Sequence, residues 1–333
     1  MKKNLLALAL ASVMALSMTA CGGQSSSAPA ASAAASGAEG GKTYTVGVIQ
    51  LVQHAALDAA TQGFQDAITD ALGSAVTFDV QNAAGDSATC STMATQMVSG
   101  GVDLILANAT PALQAAVAAT DQIPILGTSV TEYGVALSID GFSGTVGGNV
   151  SGTSDLAPLD QQAAMLMDLL PSAKTVGVVY CSGEANSVYQ ADVVKSTLEA
   201  AGLKVNVYTF ADSNDVAAVT TTACNECDAL YIPTDNTAAS CTEAINNVAQ
   251  PAGIPIVCGE EGICKGCGIA TLSIDYYELG RTTGEMAVKI LTGEGDIASM
   301  PIEYYANPVK KYDADRCAAL NITVPSDYVA IEG

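Results

Sequence analysis

The sequence predicts an α/β protein made of two Rossmann-like lobes, each with a parallel sheet, joined by a hinge. Three observations predict it. Apolar runs of strand length alternate with helical segments, the pattern of right-handed βαβ units. That pattern then recurs: Val46-Gly47-Val48-Ile49 is echoed by Val176-Gly177-Val178-Val179, Asp103-Leu104-Ile105-Leu106 by Asp228-Ala229-Leu230-Tyr231, and Ile123-Pro124-Ile125-Leu126 by Ile254-Pro255-Ile256-Val257. The offsets are 130, 125 and 131 residues, and three matches in one order mark two lobes of one topology. Between the halves, Phe142 to Thr153 is rich in Gly, Ser and Val, the composition expected of a hinge crossing.

The chain opens with Lys2 and Lys3, an apolar run from Leu5 to Leu16, and Ser17-Met18-Thr19-Ala20 before Cys21. This describes a secretory signal over residues 1–20 rather than a membrane span. The small residue followed by cysteine resembles a bacterial lipobox, which makes Cys21 the lipidation site; the alternative is a plain secreted protein with a free Cys21. Residues 21–42, almost wholly Gly, Ser, Ala, Pro and Gln, read as a flexible tether. Tyr44 to Leu51 then reads as a strand, and Leu57 to Leu72 as a helix with Leu57, Phe64, Ile68 and Leu72 on one face. Ala75 to Val80 is a strand, and Ser87 to Ser99 a helix closed by Gly100-Gly101. Asp103 to Ala107 is a buried strand, with Thr110 as the next helix cap and Pro111 as its first helical residue. The N-terminal lobe is assigned to residues 43–150 and 274–302, and the C-terminal lobe to 151–273 and 303–333. The chain returns to the first lobe near Ser273-Ile274-Asp275 and crosses for the last time between Met300 and Asn307.

A formal charge of −22 repels nucleic acid and anionic lipid surfaces, so membrane contact is limited to the lipid anchor. Trp is absent and Phe occurs four times, which leaves few of the stacking platforms typical of sugar sites. Of ten cysteines, nine remain once Cys21 is acylated. Cys224-x-x-Cys227 and Cys264-x-x-Cys267 invite a zinc reading. The gap between these pairs exceeds the zinc-ribbon pattern and His54 is the sole histidine, so no metal is assigned; a local disulfide or free thiols remain as the alternatives. Gly-x-Ser-x-Gly, Walker and Gly-rich dinucleotide motifs are all absent. One histidine, and carboxylates that are adjacent rather than opposed, argue against an enzyme, and no cofactor is expected.

Ligands of open parallel sheets bind beyond the carboxyl ends of the strands. In the first lobe those ends carry Gln53 and His54, Gln81 and Asn82, Thr110, Thr128 and Ser129. In the second they carry Glu184 and Asn186, Asp212, Thr234, Asp235 and Asn236, and the Glu260-Glu261 pair, with Tyr189 placed to close over the site. Asp275 stands at the return crossing. The set is mostly neutral hydrogen-bonders, with carboxylates on the second lobe and only two arginines, Arg281 and Arg316, in the whole chain. It suits a zwitterion better than a polyanion. Hydroxyls and the helix start at Thr110-Pro111 would take a carboxylate, and Asp235 or a glutamate of the Glu260-Glu261 pair an ammonium. Each residue also has a plainer reading. Thr110, Asn236 and Asp275 are good helix caps, His54 and Tyr189 can be structural, and Glu260-Glu261 can be a solvated pair.

His54-Ala55-Ala56-Leu57-Asp58, Gln81-Asn82-Ala83, Ala109-Thr110-Pro111, Gly148-Asn149-Val150-Ser151-Gly152, Glu184-Ala185-Asn186-Ser187, Pro233-Thr234-Asp235-Asn236-Thr237, Gly259-Glu260-Glu261 and Ile274-Asp275-Tyr276-Tyr277-Glu278-Leu279-Gly280 stand in order. Together they resemble the substrate-binding lipoproteins of ABC importers that include tryptophan- and tyrosine-binding proteins. The resemblance runs from about Tyr44 to Leu320; Cys181, Cys264 and Cys267 depart from the residues usual there. It implies a type I periplasmic-binding-protein fold that closes on its ligand. It also implies an importer permease and ATPase as partners and an extracytoplasmic, membrane-anchored location. An aromatic amino acid is the expected ligand, with a branched aliphatic one as runner-up. The other readings are a sensor lipoprotein that docks to a signalling receptor and a metal-trafficking lipoprotein.

Overall fold

The computed structural model describes residues 42–332; Cys21 and the segments read as signal and tether, apart from Lys42, lie outside the described residues. The first half runs β1 (Tyr44–Gln50), α1 (Ala55–Leu72), β2 (Val76–Asn82), α2 (Ser87–Gly100), β3 (Leu104–Asn108), α3 (Thr110–Ala119), β4 (Ile125–Val130), α4 (Tyr133–Ala136) and β5 (Val150–Ser154). The second runs α5 (Leu159–Leu169), β6 (Thr175–Cys181), α6 (Ala185–Ala200), β7 (Lys204–Phe210), α7 (Val216–Glu226), β8 (Ala229–Ile232), α8 (Asn236–Ser240), α9 (Thr242–Ala252), β9 (Ile256–Cys258), α10 (Glu261–Cys267) and β10 (Ala270–Ser273). The chain then adds α11 (Tyr276–Thr292), β11 (Glu303–Tyr304), β12 (Val309–Tyr312), α12 (Ala314–Ala319) and β13 (Val329–Ala330).

The strands form two sheets. The first has the order β2-β1-β3-β4-β5-β11, all parallel. The second has β7-β6-β8-β9-β10, continued by β12, which runs antiparallel to β10, and by β13. The five-strand cores share one doubly wound order, with β6 in the place of β1. The three sequence echoes fall on β1 and β6, β3 and β8, and β4 and β9. The repeated aspartates do the same work in both copies. Asp103 accepts from Thr45 N at 2.8 Å, and Asp228 accepts from Lys174 N and Thr175 N at 2.9 Å, so each ties its own strand start to the central strand. Every residue of β3 and β4 is buried, as expected of parallel strands with helices on both faces.

Two lobe edges differ from the sequence reading. β5 pairs with β4, Ile125 opposite Val150, so the first sheet extends to Ser154 and the crossing follows it. Phe142 to Thr153 is therefore not the crossing; Phe142 and Val146 pack on the first core. β11 pairs with β5, Glu303 opposite Thr153, so Glu303 and Tyr304 belong to the first sheet rather than the second. The reason lies in the composition of β5. Its hydroxyls are buried by hydrogen bonding, Ser151 Oγ to Met300 O at 3.0 Å and Thr153 Oγ1 with Thr283 Oγ1 at 2.8 Å, so a core strand carries no apolar run.

The Thr110 cap also moves by one residue. Ala109 occupies the cap position at φ 93°, and Thr110 is the first helical residue. Asn236 likewise opens α8, which Asp235 caps. Helix α11 returns to the first lobe and crosses α1 at close range, because Gly63, Gly280 and Gly284 leave no side chain between the two backbones. This pairing sets the two helix starts, His54 of α1 and Tyr276 of α11, side by side at the mouth of the sheet.

Candidate functional site

Between the sheets the strand tips enclose a cavity of about 10 Å³. Its walls are His54 and Leu57 from the start of α1, Asp155 from the first crossing, Thr234, Asp235, Asn236 and Ala239 around the β8–α8 turn, Glu260 before α10, and Tyr276. The space is smaller than the roughly 300–1,000 Å³ usual for small-molecule pockets, so entry requires the lobes to part. Direct bonds join the lobes here. His54 Nε2 lies 3.2 Å from Asn236 Oδ1, and Gln190 Nε2 donates to Thr131 Oγ1 at 3.4 Å.

Most of the carboxylates at this cavity are engaged by backbone. Asp235 accepts from Cys181 N and Ala238 N, both at 2.7 Å, which caps α8 and ties it to the end of β6. Burial, and then the neighbouring Glu184, push its pKa up. Glu260 accepts from Gly262 N at 2.6 Å and from Ile263 N, capping α10; burial raises it to about 7. Glu184 accepts from Asn236 N at 3.0 Å, Asn236 Nδ2 at 2.7 Å, Thr237 N at 2.9 Å and Thr237 Oγ1 at 2.8 Å. It therefore builds the β8–α8 turn. Replacing Glu184 by alanine orphans those donors and is expected to lower stability by about 2–3 kcal/mol, read as a fall in melting temperature.

Asp155 differs. Its Oδ2 accepts from Tyr276 OH at 3.0 Å, but Oδ1 is buried with no partner. Burial raises the carboxyl to about 6, against the lowering effect of the Thr131 and Tyr276 hydroxyls. No lysine or arginine lines the cavity, and burial lowers the pKa of His54, which keeps it neutral.

Further buried oxygens without partners stand at nearby tips: Thr110 Oγ1, Ser129 Oγ and Asn186 Oδ1, together with His54 Nδ1. Ser129 holds φ 53° and Ala109 φ 93°, so two of the strand tips of the first lobe carry backbone strain. Thr128 is absorbed into a buried hydroxyl network with Thr153 and Thr283, at 3.2 Å to each.

Thr110, Thr128, Ser129, Glu184 and Asn186 do not line the cavity themselves, and four further predicted residues are engaged elsewhere. Gln81 and Asn82 end the outermost strand β2, where Gln81 bonds Asp79 and Asn82 bonds Ala84 N. Tyr189 packs partly buried against the apolar cluster of the second lobe. Asp275 is exposed and caps α11 through Glu278 N at 3.1 Å, while Tyr276, one residue on, faces the cavity. Sequence reasoning missed Asp155 and Tyr276. Had β5 been read as a strand, the tip rule would have selected Asp155. Among the described residues, no group of three or more His, Cys, Asp or Glu side chains is placed to hold a metal, and the nine cysteines are free thiols.

Comparison with known proteins agrees with this architecture. The chain is 36% identical over 304 residues to a tyrosine-binding protein of Clostridioides difficile strain R20291, covering 89% of this chain and 86% of that one. It is 32% identical to a Streptococcus pneumonia ABC domain in complex with L-Trp, with a TM-score of 0.82 over 86% of this chain and 97% of that one. A ligand-free, open substrate-binding protein with adhesive properties from Clostridium difficile is 36% identical, with a TM-score of 0.65 over 87% of this chain and 100% of that one. The lower score at higher identity places this structure nearer the L-Trp complex than the open form. Residues 45–325 match the model of the family described as ABC transporter substrate binding protein. With two doubly wound lobes meeting at a polar cavity between their strand tips, the chain belongs to the ABC transporter substrate-binding protein family.

Proposed function

We propose that the chain is the extracytoplasmic, Cys21-anchored solute receptor of an ABC importer, and that it captures an amino acid, aromatic by preference, between its lobes. It delivers this ligand to a permease driven by an ATPase and performs no catalysis itself. The observation that carries the reading is the set of buried, unpartnered polar atoms at the strand tips, because buried polar groups in native proteins are almost always satisfied. Two kinds of group stand on neighbouring strands. Thr110 Oγ1, Ser129 Oγ and the N-terminus of the ten-residue helix α3 suit a carboxylate. Asp155 Oδ1 suits an ammonium. Asp155 N bonds Val130 O at 3.3 Å, which sets Asp155 on the strand end beside that of Ser129. The relatives named for tyrosine and crystallised with L-Trp support an aromatic side chain.

A thermal-shift screen of the twenty amino acids tests the reading. At about 100 times the dissociation constant, L-tyrosine or L-tryptophan is expected to stabilise the protein by about 2.7 kcal/mol, a rise of roughly 5–10 °C. A flat response to every amino acid, with a clear shift from a sugar or nucleoside, overturns it.

A further inference from the structure

We infer that the lobes close only when one of the two negative charges of the Asp155–Glu260 pair is offset, and that either the ammonium of the ligand or a proton does this. The inference rests on the amino-acid reading above and names the charge rule of the same site.

The geometry starts at the hinge. Asp155 opens the first crossing and Tyr276 follows the second, so both move with the lobes, while Glu260 belongs to the second lobe. All three are buried: Asp155 is 4% exposed, Glu260 2% and Tyr276 7%. Every titratable group facing the pair is an acid, a phenol or a neutral imidazole. Asp155 faces Tyr276, Tyr133 and Glu260; Glu260 also feels Glu261, and across the cavity stand Asp235 and His54, both of which feel Glu184. The nearest cation assigned to these acids is Lys311, bonded to Glu261 rather than to the cavity. Asp155 also keeps Oδ1 free, buried and lining the cavity. A carboxylate pair closed away from water without a countercharge is strongly disfavoured.

The sign of the pH dependence follows from the carboxyl groups. In the closed form Asp155 stands at about 6 against an ordinary 3.8, and Glu260 at about 7 against 4.5, with burial the main cause of both shifts. When the lobes part, water returns both groups toward their ordinary values. The closed form therefore holds protons that the open form releases. This preference is complete below the ordinary carboxylate range and is lost as pH rises through about 6 to 7. Above that window a ligand must bring its own charge.

Small-angle scattering of the whole protein at about pH 5.5 and about pH 8 tests this, with L-tryptophan and its deaminated analogue indole-3-propionate as probes. The ligand-free protein is expected to be compact at the lower pH and extended at the higher. At about pH 8, L-tryptophan compacts it while indole-3-propionate binds about 100-fold more weakly; at the lower pH that gap narrows to about tenfold. Asp155→Asn and, as a second variant, Glu260→Gln are expected to be compact at both values without ligand. A ligand-free radius that ignores pH, or indole-3-propionate binding that is equal at both values, overturns the charge rule even if L-tryptophan binds. If L-tryptophan compacts the protein at neither pH while acid does and the two variants ignore pH, the amino-acid reading falls and the charge rule stands.

Discussion

Asp155→Ala is expected to weaken amino-acid binding by about 100-fold or more, because it leaves the ammonium of the ligand buried without a partner. Calorimetric titration with L-tryptophan or L-tyrosine reads the effect. The melting temperature of the ligand-free variant should stay within a few degrees of the parent. Asp155 makes one side-chain bond, to Tyr276, and burial of its carboxylate opposes closure rather than supporting it. Asp235→Ala should show the reverse balance. Asp235 caps α8 and holds Cys181 N, so its loss lowers the melting temperature first, by about 1–2 kcal/mol of stability. If Asp235→Ala removed binding at unchanged stability while Asp155→Ala bound normally, the roles of the two aspartates would have to be exchanged.

Gly280→Val is expected to give the largest loss of stability, about 3 kcal/mol or more, seen as a melting temperature lower by at least roughly 6 °C. A Cβ at Gly280 would collide with Ala60 O and stand 2.8 Å from Ala60 C, and one at Gly63 would collide with Tyr277 O. These obstacles are backbone atoms within helices and cannot swing aside as a side chain can. Relief requires α1 and α11 to separate, which also draws His54 away from Tyr276 and weakens ligand binding. Gly100→Ala is a contrasting control. Nothing lies within 4 Å of its Cβ position and it sits in the last turn of α2, so the change is expected to be neutral or slightly stabilising. Equal melting temperatures for Gly280→Val and the parent protein would show that the helix pair tolerates separation.

Much of the fold was legible because duplication and burial leave local marks. The echoed strands, their repeated Asp103 and Asp228, and the apolar runs of β3 and β4 all follow from parallel strands covered on both faces. The edges at β5 and β11 were not legible. A strand whose buried hydroxyls are satisfied by Met300 O, Thr128 and Thr283 carries no apolar periodicity, so its composition imitates a hinge. The candidate site was partly legible. His54, Thr234, Asp235, Asn236 and Glu260 were reached through the strand-tip rule and do line the cavity. Gln81 and Asn82 obey the same rule but end the outermost strand, and sequence carries no measure of distance from the hinge.

By itself, the sequence determined the two-lobe α/β class, the alternation of strands and helices and the cluster of neutral and acidic groups at the strand tips, because periodicity and repetition are local properties of the chain. Tertiary structure decided which carboxylates are engaged. Asp235, Glu260 and Asp275 serve helix starts, Glu184 builds a turn, and Asp155 alone among these keeps a buried oxygen without a partner. The physical reason is that a carboxylate acts by what surrounds it, and its surroundings here are assembled from backbone N–H groups and hydroxyls as far apart in the chain as Thr131 and Tyr276.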